Sequence, residues 1–177
     1  MKKLILVLAW AFALSACSST PTPVAPVVND FDAQRYLGKW YEILHLPHSF
    51  EEGLESVSAE YRLNADNSIE VTNRGYHVAD GEWQTAIGHA VPVDNAMYRV
   101  TFFWPFDGGY YVSWLQTDEQ GNYEVSVVTS DSHDYFWLLA RTPTIAEETI
   151  EEIKAQAKAW GFETDRMIRV DHTAGSN

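Results

Sequence analysis

The sequence predicts an all-β fold, an eight-stranded antiparallel up-and-down β-barrel with one C-terminal α-helix packed outside. Three observations carry this. From Gly38 to Arg141 apolar residues recur with a period of two, the period of a half-buried strand. Short clusters of Gly, Pro, Asn and Asp separate the runs, as hairpins require. No helical period interrupts them before Thr144. Eight strands joined consecutively by short links close naturally into a barrel of a size that holds one small ligand. An immunoglobulin-like sandwich competes on strand count alone. A transmembrane barrel fits poorly: its strands need about 9–11 residues and an apolar lipid-facing band. Here one face of the run ending at Leu63 is Ser56, Ser58, Glu60 and Arg62.

The first segment reads as an address. Lys2 and Lys3 precede an unbroken apolar run from Leu4 to Leu14. That run is shorter than the roughly 20 residues a bilayer-spanning helix needs, and it has signal-peptide proportions. Leu14-Ser15-Ala16-Cys17 follows and resembles the bacterial lipobox, in which the cysteine is lipidated and becomes the new N-terminus. The one cysteine of the chain occupies that position. Residues 1–16 are therefore expected to be removed, and Cys17 to be the lipid attachment site. An aspartate after the cysteine holds the lipoproteins it resembles at the inner membrane; Ser18 here implies the outer membrane, with the domain facing the periplasm.

Residues 17–30 hold three of the seven prolines and read as an extended tether, reaching ~40 Å at about 3.1 Å per residue. The globular domain is expected over residues 31–170. Strand-like runs cover Gly38–Leu46, Val57–Leu63, Ile69–Tyr76, Glu82–Val91, Tyr98–Phe102, Tyr110–Thr117, Tyr123–Thr129 and Tyr135–Arg141. Asp107-Gly108-Gly109 is read as one of the turns between them. Thr144-Ile145-Ala146-Glu147 has the pattern of a capping box. Behind it, Ala146, Ile150, Ile153, Ala157 and Trp160 form an apolar stripe, and Gly161 ends the helix. A short strand is expected at Met167–Val170, and residues 171–177 are read as a disordered tail.

Composition narrows the function classes. The chain has 177 residues, 46% hydrophobic and 21% charged, which suits one domain with a sizeable core. Its net charge of −13 becomes −15 once Lys2 and Lys3 are cut away, which argues against nucleic acid as partner. A single cysteine excludes an intrachain disulfide framework and a cysteine-based zinc site.

Several motifs together resemble the lipocalin family. Gly38-Lys39-Trp40 looks like its Gly-x-Trp entry to the first strand. Phe50-Glu51-Glu52-Gly53-Leu54 is similar to the loop that follows in the bacterial and apolipoprotein-D-like branch. Trp137-Leu138-Leu139-Ala140-Arg141-Thr142-Pro143 resembles the last barrel strand with its closing arginine. The resemblance runs from about Phe31 to Val170 and implies a structural barrel base of Gly38, Trp40 and Arg141, with the guanidinium over the indole. Gly38 is read as a tight entry that a side chain would obstruct.

With Arg141 capping the interior, strand parity puts Leu139, Trp137 and Tyr135 inside. Tyr61 and Phe102 are expected there too, and Tyr110, Val112 and Trp114 are the inward choice on the sixth strand. An aromatic cup with few charges suits an acyl chain. The family carries fatty acids and lysophospholipids, so such a lipid is the expected ligand, and transport of it in the envelope the expected role. The other reading is an envelope assembly lipoprotein, its barrel filled by its own side chains. A homodimer is left open.

No catalytic residue, cofactor or metal is expected. Nucleophile elbow and phosphate loop are both missing. His45 and His48 follow a strand and flank Pro47, so they share no helix face and predict no metal site. Glu51-Glu52 reads as exposed loop.

Overall fold

A computed structural model of the protein describes residues 22–175. The leader, Cys17 and the first residues of the tether lie outside them. The strands are β1 (Gly38–His45), β2 (Leu54–Leu63), β3 (Ile69–His77), β4 (Glu82–Asp94), β5 (Met97–Phe103), β6 (Phe106–Thr117), β7 (Tyr123–Thr129), β8 (Phe136–Ala140) and β9 (Ile168–Arg169). Each pairs antiparallel with its neighbour from β2 through β8, and β1 pairs with both β8 and β2. This closes an eight-stranded barrel and leaves β9 as an extra strand on β1. A four-residue helix, α1 (Ala33–Tyr36), leads into the barrel, its first turn capped by the Asp32 carboxylate on the Gln34 amide. No helix among the described residues is long and apolar enough to cross a membrane.

Two apolar clusters hold the fold. One fills the barrel. The other lies between its outer wall and α2 (Glu147–Ala159), where Ile150, Ile153 and Ala157 meet Phe136, Leu138, Ala140, Val125 and Val127. Strands β7 and β8 are thus covered on both faces, which explains their nearly continuous apolar runs. Gly161 ends α2 with a φ of 94°, and the Phe162 amide turns back onto the Ala157 carbonyl.

The capping box does not form. The helix begins two positions later, with Ala146 as an N-cap that makes no side-chain bond. Glu147 instead accepts from Arg169 Nη1 at 2.7 Å. Thr144→Ala should therefore change unfolding free energy by less than about 0.5 kcal/mol, where loss of a true cap costs about 1. Chemical denaturation checks this, and a loss of the full cap value would restore the box.

Three boundaries also move. The fold begins near Val24, not Phe31: Ala25 is buried against the helix-side cluster, and the Val28 amide donates to the Val112 carbonyl at 3.0 Å. The tail is ordered through Gly175: the Ser56 amide donates to the Asp171 carbonyl at 2.9 Å, and His172 Nε2 to the Glu42 carbonyl at 2.7 Å. Asp107, Gly108 and Gly109 lie inside β6, and the chain turns at Trp104–Pro105 instead. A Cβ at Gly109 would collide with the Tyr111 ring and the Asp131 carboxylate, so this glycine serves a close approach rather than a turn.

Candidate functional site

At one end the barrel is sealed. Trp40 is fully buried, its Nε1 donates to the Tyr36 carbonyl at 2.8 Å, and the Arg141 guanidinium lies 3.9 Å from the ring centre. The guanidinium spends its donors on three carbonyls: Nε on Tyr123 at 3.2 Å, Nη1 on Lys39 and Nη2 on Arg35, both at 2.9 Å. It thereby ties α1, β1 and β7 across the base. Gly38 is required for a different reason from the expected one. A Cβ there would meet Arg141 Nη1 at an ordinary 3.6 Å, but the backbone φ is +91°, a conformation that suits glycine.

Above this plug lies a floor of tyrosines. Tyr110 Oη sits 2.9 Å from Tyr36 Oη and 2.8 Å from Tyr61 Oη, and Tyr36 Oη reaches Ser126 Oγ at 3.0 Å. Burial pushes Tyr36 up to about 12, with Ser126 and Tyr110 opposing, and holds Tyr61 and Tyr110 well above the ordinary tyrosine value. All three stay neutral and their hydroxyls satisfy one another. With Ile69, Val71, Ala90, Tyr98, Val100 and Phe31 they leave only about 10 Å³, room for about one water. The lower bore is packed.

The upper bore is lined by Phe102 and Trp137, both only half-buried. Gly88 opposite lacks a side chain because a Cβ would stand 2.8 Å from the Phe102 ring. The lip carries exposed Phe50, Phe103 and Trp104, the last 88% accessible.

Of the lining residues read from sequence, Tyr61, Phe102, Tyr110, Val112, Trp137 and Leu139 belong to the barrel-interior cluster. Trp114 does not. A bulge in β6 between Val112 and Trp114 sets Trp114 opposite Val127, so the indole packs on the helix-side cluster and Leu115 takes the inward place. Tyr135 precedes β8 and stacks on Trp137 at 5.9 Å and Phe50 at 6.2 Å, so it belongs to the rim rather than the bore.

The main surprise is polar. A second bulge, in β1 between Glu42 and Leu44, turns Ile43 and Leu44 outward together and aligns Glu42 with Leu139 and His45 with Trp137. His45 Nδ1 then lies 2.8 Å from Glu51 Oε2 and 3.1 Å from Glu42 Oε1. His48 joins from the β1–β2 loop, its Nε2 3.4 Å from Glu51 Oε2. Glu51 is therefore not an exposed loop acid; its side chain is 11% accessible. Burial, then the Glu51 charge, holds the Glu42 carboxyl well above the usual carboxylate range. Burial would raise Glu51 as well, but the hydrogen bond with His45 and the nearby His48 outweigh it and bring Glu51 below its ordinary value. Burial lowers His48 against the pull of Glu51. The His45–His48–Glu51 spacing of three and three was visible in the sequence and was the signal for this group.

Comparison with known proteins places this geometry. A family model described as a lipocalin-like domain matches residues 31–172. The chain is 41% identical over 173 residues to outer membrane lipoprotein Blc of Vibrio cholerae serotype O1, covering 96% of this chain and 98% of that one. It is 44% identical over 164 residues to the Blc of Escherichia coli strain K12, covering 90% of each. Apolipoprotein D of Bos taurus is 32% identical over 169 residues, covering 91% of this chain and 85% of that one. Among solved structures, insecticyanin from the tobacco hornworm Manduca sexta superposes with a TM-score of 0.64 at 19% identity, over 85% of this chain and 86% of that one.

Proposed function

The chain belongs to the lipocalin family, and we propose that it is an outer-membrane-anchored lipoprotein whose barrel binds a single-chain lipid, a fatty acid or lysophospholipid, in the cell envelope. One observation carries the ligand reading: Phe102 and Trp137 face the upper bore only half-buried, above a packed floor and below an exposed aromatic lip. Such a surface gives a methylene chain contact area and asks for few polar partners. Lipidated Cys17 supplies the anchor, and the domain faces the periplasm. The curated relatives named as outer membrane lipoproteins support the location.

The packed lower bore favours a second reading, an envelope assembly factor that stores no ligand. Titration separates the two. With delipidated protein, long-chain fatty acids and lysophospholipids should change the tryptophan fluorescence. Affinity should rise about fourfold per methylene, from about 0.8 kcal/mol each, until the upper bore is full. Trp137→Asp should weaken binding by placing a charge in the apolar cavity, once its folded fraction is shown to match. Trp114→Phe should leave affinity unchanged, because that indole lies outside the bore. No heat and no fluorescence change from dodecanoic to octadecanoic acid, or their lysophospholipids, would favour the assembly factor.

A further inference from the structure

At the mouth of the barrel, we propose, His45, His48 and Glu51 form a binding site for one divalent first-row metal ion of the zinc type. Their ligand atoms, one from each side chain, all lie within 4.8 Å of one another. Two of the edges, 2.8 Å from His45 Nδ1 to Glu51 Oε2 and 3.4 Å from His48 Nε2 to the same oxygen, bracket the separation of about 3.3 Å between ligands of a tetrahedral zinc with bonds near 2.0–2.1 Å. Two imidazoles and a carboxylate are donors that such ions accept in preference to calcium or magnesium.

A second observation points the same way. The His48 side chain is only 5% accessible, yet neither ring nitrogen makes a hydrogen bond. Its Nε2 approaches Glu51 without hydrogen-bond geometry. Glu42 Oε1, equally buried, is also without a hydrogen-bond partner and stands 3.1 Å from His45 Nδ1. Unsatisfied buried polar atoms are costly, and a cation seated among them would satisfy them together. The shell is aromatic: the His48 ring lies 5.3 Å from Trp137, 5.6 Å from Phe50 and 5.9 Å from Tyr135. Glu42 Oε1 stands beside the same His45 nitrogen and is placed to serve as a fourth ligand. The ion would fasten the β1–β2 loop, which carries His48 and Glu51, to the end of β1, which carries His45. The site is independent of the lipid reading.

The test uses the full mature lipoprotein in detergent, stripped with a chelator and titrated with Co²⁺. One equivalent should bring up the visible bands of a low-symmetry cobalt site, and Zn²⁺ should bleach them. His48→Ala and Glu51→Gln should each weaken cobalt binding on the order of a hundredfold. Glu42→Gln, which removes an anionic fourth ligand, should weaken it on the order of 10-fold. His133→Ala, in the β7–β8 loop against Phe162, should change nothing. Circular dichroism on each variant establishes that it is folded; the wild-type spectrum needs no variant. Absence of bands at one equivalent, or bands that persist unaltered in folded His48→Ala, overturns the site.

Discussion

Trp40→Ala should lower the unfolding free energy by roughly 3–5 kcal/mol, the cost of removing a large ring from a packed interior that cannot collapse around the gap. The indole is fully buried, stacks on Tyr36 at 4.6 Å and lies under Arg141. Its loss also strips the Tyr36 carbonyl of its donor and uncovers one face of a guanidinium. Tyr36 leads directly to the tyrosine floor, so the damage should spread upward into the bore rather than stay at the base. Arg141→Lys should cost less. An ammonium keeps the charge but cannot stack flat or serve three carbonyls in one plane. At about 2–4 °C per kcal/mol for a domain of this size, Trp40→Ala should melt well below wild type. Superimposable melting curves would show that this end is not a packed plug.

Cys17→Ala should move the protein out of the membrane fraction or leave it unprocessed. A single acyl chain holds a protein only marginally, and a lipidated N-terminal cysteine carrying several chains anchors stably. The substitution removes every chain at once, so the expected loss is close to complete. Packing of the chain from Val24 onward adds a geometric consequence. Six residues lie between Cys17 and Val24, a span of at most about 25 Å, which would hold the barrel nearer the bilayer than a free tether of residues 17–30. Fractionation with the outer membrane at wild-type level would refute the anchor.

How much of this was legible in the sequence follows from which rules are local. Alternation along a single strand is a property of the pleat. It put Ala59 and Tyr61 on one face of β2 and Trp137 and Leu139 on one face of β8, and these residues are buried in the barrel or line it. Gly161 as a helix stop is equally local, because it needs only a residue that tolerates positive φ. The eight consecutive short-linked strands left closure as the natural outcome for the edges.

Bulges obey no such rule, since an extra residue is accommodated by matching two neighbouring strands. Strict alternation from Trp40 would place Leu44 in the bore and His45 outside; the β1 bulge reverses both. The same effect sends Trp114 to the helix side. The capping box did not form either: the helix starts at Glu147, whose carboxylate pairs with Arg169, distant in sequence. By itself, then, the sequence determined the barrel strands, their closure and the outer helix, because periodicity and chain-local chemistry suffice for these, while the base of Trp40 and Arg141 came from the family resemblance. Only the tertiary structure decided that the lower bore is packed by a tyrosine network and that His45, His48, Glu51 and Glu42 meet at the mouth. Those outcomes depend on strand register and on a loop folding back over the barrel, which are set by contacts between residues that alternation cannot relate.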